Sequence, residues 1–386
     1  LGDETYARFV AARAAKPWLA GWETLELDRL PRQRLCIEGR LPRALRGTLF
    51  RNGPGRFDRD GFRYRHWFDG DGLVQAWRMD DAGVTREARF VRTTKYVAES
   101  AAGRFLYHGA GTMVPDPRPS RNGDDFNTAN TAMIAHSGKL QALWEGGSAW
   151  NIDPETLETL GVHTFRDDLV ALPYSAHPLP DRDGSLWNFG MMAYLDAPTL
   201  LVWHIGADGT LRSCTPLRTG FAGYLHSFAQ TERHLVFVLA PLLYEADGNG
   251  AFFDLLRWRP ERHSLVLIVD KNDVDKNDLT QVIRHELPAG LVYHWADAQE
   301  RDGAINLSGC WYDDADPVQR EVQRIMRGEP MLDAKGAELV TLRLPLGRSA
   351  ATFTRSGIGA LEFPEFAGRS PGPKRYLYAL AQRGSS

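Results

Sequence analysis

The sequence is short of cysteine, of long apolar runs and of surplus positive charge, and each shortage closes off a class of protein. Only Cys36, Cys214 and Cys310 occur, odd in number and scattered, with no CxxC pair. A disulfide scaffold and a zinc ribbon are both disfavoured, and a reducing, cytoplasmic setting is the expectation. Nothing approaches 18 consecutive apolar residues, so no membrane-spanning helix is predicted. Lys and Arg number 46 against 49 Asp and Glu, a formal net charge of −3 without a basic stripe, which argues against a nucleic-acid partner. No GxGxxG follows a strand, and neither a P-loop nor a GxSxG is present, so no nucleotide cofactor and no α/β-hydrolase nucleophile are expected. The opening "LGDETYARFV" has no initiating Met and no signal-peptide layout; the expectation is a chain that begins inside a longer one.

Aromatic residues are what the chain has in plenty: 11 Trp, 18 Phe and 12 Tyr in 386 residues, 43% of them hydrophobic. Aromatics pack well on pleated faces, and they also build tunnels for long apolar substrates. After a helical stretch from Asp3 to about Ala15, strand-like runs dominate: "HLVFVLAPLLY" (234–244), "SLVLIVD" (264–270), "LVTLRLPL" (339–346) and "RYLYALA" (375–381). Residues 199–214 read as a hairpin turning at Asp208-Gly209. One later helix is expected over 316–330, with Asp316 as N-cap, Pro317 in its first turn, Gly328 past its end, and Val318, Val322, Ile325 and Met326 on one face. Many short strands and two evident helices predict an all-β fold. No Pro/Ser-rich linker divides the chain, so residues 1–386 read as one domain. At about 40–50 residues per four-stranded blade, a β-propeller fits the length; a β-sandwich is the weaker alternative.

Three features invite a metal. "VDKNDVDKND" (269–278) has the alternate spacing of a calcium loop, but Asp278 stands where Gly is needed and Arg284 where the bidentate Glu is needed. A solvated, duplicated turn is predicted there. Asp69 and Asp71 in "FDGDG" (68–72) read as solvated corners of a tight turn. The histidines are the third feature. His66, His108, His136, His163, His204, His234, His263 and His285 have ordinary hydrogen-bonding readings. His177, His226 and His294 sit in comparable polar breaks, too far apart for a helix-borne pair or a zinc knuckle. A propeller would offer such residues if separate blades each sent one toward the axis.

The surrounding text resembles the carotenoid cleavage oxygenases, also called the retinal pigment epithelial membrane protein family. The resemblance is carried by "LPRALRGTLFRNGPGRF" (41–57), "YRHWFDGDGLVQAWRM" (64–79) and "NTANTAMIAHSGKLQALWEGGSAWNIDPETLETLG" (127–161), then by "SAHP", "LHSFAQTE", "YHWADAQE" and "LEFPEF", in order along nearly the whole chain. It implies a seven-bladed propeller with helical insertions capping one face and a non-haem Fe(II) on the axis. Four histidines hold the iron in that family. His177, His226 and His294 match three of them, and Glu145 and Glu362 match two of the glutamates that orient the imidazoles. The implied reaction inserts O2 across a C=C bond and yields two carbonyl products. Neutral imidazoles suit iron, and a carboxylate on the far ring N–H fixes which nitrogen binds.

The match stops short at "RYLYALAQRGSS": no histidine follows His294, whereas the family's fourth histidine and third glutamate lie in a further segment. Truncation before the last blade region is the favoured expectation, against a non-catalytic homologue or another group in the fourth position. The substrate reading is a carotenoid or apocarotenoid. Stilbene cleavers, the runner-up, usually carry a Tyr and a Lys that grip a phenol; Tyr96 would supply the first, but Phe126 stands where the Lys is expected, an apolar lining better suited to a polyene. A propeller that only binds a partner or a lipid is the alternative of another class. "AFFDLLRW" (251–258) offers a bilayer-dipping loop or, alternatively, a buried connection, so peripheral membrane contact joins the expectations.

Overall fold

Short antiparallel strands carry nearly all of the regular structure. The computed structural model describes residues 2–246, 248–315, 317–330, 336–366 and 376–381. The chain divides into two compact units: residues 1–176, 250–253 and 322–330, and residues 177–249, 254–321 and 331–386.

The first unit opens with the helix Gly2–Ala15 and holds two main sheets. One runs Arg29–Arg34, Gly83–Phe90, Asp71–Asp80, Gly47–Arg51; the other runs Thr159–Val162, Trp150–Ile152, Lys139–Leu143, Ala132–His136. Gly72 must be glycine, because a Cβ there would lie 2.2 Å from the Ala129 carbonyl oxygen.

The second unit holds three larger sheets. Leu179–Pro180, Leu186–Met192, Thr199–Ile205 and Leu211–Arg218 form the first; Gly223–Tyr224, His234–Tyr244, Ser264–Asp270 and Ile283–Leu287 the second; Leu291–Arg301, Ala304–Tyr312, Glu338–Pro345 and Thr352–Arg355 the third. A two-stranded ribbon, Leu361–Phe366 with Leu377–Ala381, follows. The uninterrupted apolar run of 234–244 has a simple cause. Successive side chains of a strand point to opposite faces, and here both faces are buried. Val236 and Val238 enter one core with Val266, Ile305 and Val340. Leu235, Phe237 and Leu239 enter another with Trp187, Leu200 and Leu267. Each such side chain contributes about 1.5–3 kcal/mol by leaving water.

The expected all-β plan therefore holds in coarse form: mostly strand, with few helices. The strands expected at 234–244 and 264–270 and the hairpin at 199–214 are in place. The later helix differs. It begins as a π-helical turn, Pro317–Glu321, and continues as a short α-helix, Val322–Met326, with Val322, Ile325 and Met326 buried. The wider turn fits an extra residue into the spiral. Asp316 lies outside the described residues, as do the side chains of Pro317 and Val318. The 251–258 segment behaves as a connection: Phe253 and Leu256 are buried, and Leu256–Trp258 pairs with His234–Tyr244. No described helix is long and apolar enough to cross a membrane.

Two acidic motifs need correction. Asp69 and Asp71 are not solvated turn residues; both are buried. Asp69 accepts from Thr112 Oγ1 at 2.6 Å and from the Gly111 N–H at 3.0 Å, and burial pushes its carboxyl up to about 6. Asp71 accepts from Lys95 Nζ at 2.6 Å and from Arg59 at 3.1 Å, while Lys95 also reaches Glu99 at 2.8 Å. Lys95 and Glu99 lie on the helix Thr94–Ala102, which starts at a Thr93 side-chain cap and ends at Gly103 with φ +68°. That helix escapes a hydrophobicity search because its buried face, Lys95, Tyr96 and Glu99, is two-thirds charged. The 269–278 stretch is a short helix, Lys271–Asp275, capped by Asp270, with Asp275 held by His204 Nδ1 and Ser213 Oγ at 2.8 Å each.

Replacing Lys95 by Ala strands Asp71 and Glu99 as buried, under-compensated carboxylates. A loss of about 3–5 kcal/mol is expected, to be read as a lowered urea midpoint at unchanged slope.

Candidate metal centre

Three strand breaks in the second unit bring three imidazoles to one point. His177 stands just before Leu179–Pro180, His226 just after Gly223–Tyr224, and His294 within Leu291–Arg301. The register of that last strand against Ala304–Tyr312 slips across His294, between Val292 and Trp295, and again just after it, between Trp295 and Asp297. Such bulges re-aim a side chain out of the regular alternation. Ser227 Oγ donates to the Tyr293 carbonyl and so ties the His226 segment to the His294 strand.

One ring nitrogen from each of His177, His226 and His294 lies within 4.8 Å of the others. His177 Nε2 and His226 Nε2 are 2.8 Å apart. The rings are mutually inclined, at 58° for His177 with His226, 74° for His177 with His294 and 87° for His226 with His294. Donors bonded at about 2.0–2.1 Å to one ion and set near a right angle lie roughly 3 Å apart, which is close to the 2.8 Å between His177 and His226.

The charges fit the same purpose. Burial, reinforced by His294 and partly opposed by Glu362, pushes the His226 imidazole down to about 3. It is therefore neutral near pH 7 and keeps a lone pair for a cation. Glu362 Oε2 sits 2.7 Å from His294 Nδ1. A carboxylate there accepts a hydrogen bond from the Nδ1–H and leaves Nε2 as the donor atom to a cation. Glu362 lies at a register break of the ribbon Leu361–Phe366, between Glu362 and Glu365. Its charge is felt nearby. Burial first and Glu362 second push the Cys310 thiol up to about 12 and the Tyr312 hydroxyl above its usual range. Among the described residues this is the one His/Cys/Asp/Glu grouping able to hold a metal ion. Neutral nitrogen donors with a carboxylate behind one of them suit a first-row divalent cation better than calcium or magnesium.

The other site candidates lie in the first unit. Glu145 is half-buried in a loop fixed by Asp124, which accepts from Ser148 N and Ser148 Oγ at 2.8 Å each. Tyr96 is buried, its hydroxyl donating to Asp28 at 2.6 Å and its ring stacked on Phe90. Phe126 is half-buried and meets Trp144 edge-on at 5.5 Å. The remaining histidines with an assigned partner hold ordinary ones: His66 caps Phe68 N, His108 accepts from Val114 N, His204 meets Asp275, and His234 meets Glu300.

Sequence reasoning missed the aromatics around the imidazoles. Tyr224 brings its hydroxyl 3.4 Å from His226 Nδ1, Tyr293 stands edge-on to His226, and Phe363 lies against His294 at 4.5 Å between ring centroids. The available signal was position: each lies within two residues of a ligand histidine or of Glu362.

The family model described as Retinal pigment epithelial membrane protein matches residues 26–386. The apocarotenoid-15,15′-oxygenase of Synechocystis is 31% identical over 74% of this chain and 60% of its own length. The isoeugenol monooxygenase of Pseudomonas putida is 29% identical over 70% of this chain and 56% of its own length. The chain thus spans less than two thirds of these relatives. A cobalt-substituted Synechocystis apocarotenoid oxygenase structure superposes with a TM-score of 0.80 at 25% identity, covering 94% of this chain and 77% of that one.

The depressed His226 value sets a pH dependence. Between the unfolded imidazole value of about 6.5 and about 3, the unfolded chain takes up a proton that the folded site refuses. Stability of the metal-free protein is therefore complete above that upper value and falls as the pH drops. Denaturant unfolding at pH 7, 6 and 5 is expected to show the decline, with a shallower slope for His226→Phe.

Proposed function

The chain belongs to the retinal pigment epithelial membrane protein family, and from that premise we propose that it is a non-haem iron(II) dioxygenase cleaving one C=C bond of an apocarotenoid or carotenoid. The observation that carries this reading is the meeting of His177, His226 and His294 with Glu362 behind His294. The reaction balances without an organic cofactor: R–CH=CH–R′ and O2 give R–CHO and R′–CHO. Iron(II), held by the three imidazoles, would supply the redox chemistry that O2 requires.

The protein's own part is to bind and orient. His177, His226 and His294 each present a ring nitrogen. Glu362 holds the Nδ1 proton of His294 and so its tautomer, and the resemblance gives Glu145 the same kind of role. Tyr224 and Tyr293 border His226, and Phe363 lies against His294. In this reading the antiparallel sheets are blades of a seven-bladed β-propeller forming a single domain. The substrate is a hydrophobic polyene, so contact with a membrane surface from the cytoplasmic side belongs with it.

A phenolic substrate is the second reading, favoured by the similarity to an enzyme named for isoeugenol. Against it, the Tyr96 hydroxyl is already engaged by Asp28, and Phe126 offers no charge to a phenol.

The test is turnover by one iron-loaded preparation of an apocarotenal, resveratrol and isoeugenol, with carbonyl products identified by mass. Cleavage of the apocarotenal is expected. Activity on the phenols alone would reverse the order, and no turnover with intact binding of a polyene would favour a carrier. His177→Ala is expected to lose iron and activity while keeping its far-UV circular dichroism. Glu362→Gln is expected to weaken iron retention or activity by about 10–100-fold, read by metal content after dialysis.

A further inference from the structure

Phe363 occupies a position that core packing does not explain. It is 57% exposed, yet its backbone has φ +54°, a left-handed conformation that a bulky side chain rarely adopts. Pro364 follows, and a residue before proline is normally held in extended backbone. Both preferences are overridden at one residue, inside the register break that separates Glu362 from Glu365.

The local contacts show what this conformation achieves. The Phe363 N–H donates to the preceding side chain, at Glu362 Oε2, at 2.7 Å. The same oxygen faces His294 Nδ1 at 2.7 Å. The Phe363 ring meanwhile lies against the His294 ring, 4.5 Å between centroids and inclined by 31°. One residue thus touches the carboxylate with its backbone and the imidazole with its side chain. An extended backbone at 363 would, by strand alternation, redirect the ring away from His294.

We propose that Phe363 is a positioning residue for the metal centre: a two-point clamp that fixes Glu362 through its N–H and the plane of His294 through its ring. This rests on the metal reading given above. The clamp holds a partly exposed imidazole in the single orientation in which Nε2 faces His177 and His226.

The two contacts separate by substitution. Phe363→Gly keeps the N–H, removes the ring and relieves the left-handed backbone. Phe363→Tyr keeps both contacts. Metal-free protein is titrated with Co(II), followed by visible absorption, and its urea midpoint is measured in parallel. For Phe363→Gly we expect an unfolding midpoint at or above that of the unsubstituted chain, a cobalt Kd raised about tenfold or more and an altered visible spectrum; Phe363→Tyr restores affinity and spectrum. In the iron-loaded enzyme the loss is expected in kcat rather than KM. Unchanged cobalt affinity and spectrum in Phe363→Gly would overturn the clamp. So would a sharply lowered midpoint, which would mark Phe363 as structural. An unsubstituted chain that takes up no cobalt would overturn the metal reading and the clamp with it.

Discussion

Three imidazoles facing one another cannot all carry a proton charge. His177 Nε2 and His226 Nε2 are 2.8 Å apart, and His294 completes the group. At such distances two imidazolium ions would repel strongly, and burial would penalise even one. The protein meets this constraint at His226 by burial, which holds its imidazole neutral near pH 7, while Glu362 faces His294 Nδ1 and fixes which ring nitrogen turns toward the other two. The result is three ring nitrogens gathered at one point, which is the arrangement a divalent cation needs.

Regular sheet supplies the rigidity, and its irregularities supply the aim. None of the three histidines lies in an uninterrupted ladder: two flank strand ends and the third sits within a register slip. Glu362 likewise occupies a bulge. A regular strand offers its side chains only two directions, so a site that needs several convergent directions is built where the pleat is broken. The apolar layers around 234–244 and 264–270 hold these breaks in register.

The first unit solves a different problem with buried charge. Asp71, Lys95, Glu99 and Arg59 form a cluster joined by ion pairs. Glu99 Oε1 also accepts from the Leu106 N–H at 2.9 Å. Such a cluster contributes less than apolar packing would, but it ties the Thr94–Ala102 helix to the strand Asp71–Asp80 in one register.

The mostly-β character was legible in composition and in the apolar runs, because a strand buried on both faces must be apolar at every position. The helix Gly2–Ala15 and the hairpin at 199–214 were legible from local periodicity and turn chemistry. The histidine set became legible through the order of quoted motifs, since sequence spacing alone gives no direction to a side chain. Asp69, Asp71, Lys95 and Glu99 were illegible: a charged residue reads as solvated until its partners, which come from distant segments, are placed beside it. Phe363 was illegible for a related reason, since neither a left-handed backbone before a proline nor the ring it presses against is encoded locally. What the sequence by itself determined was which residues could be ligands and which runs must be buried; the tertiary structure alone decided where they point, because direction depends on register, and register is set by packing between segments far apart in the chain.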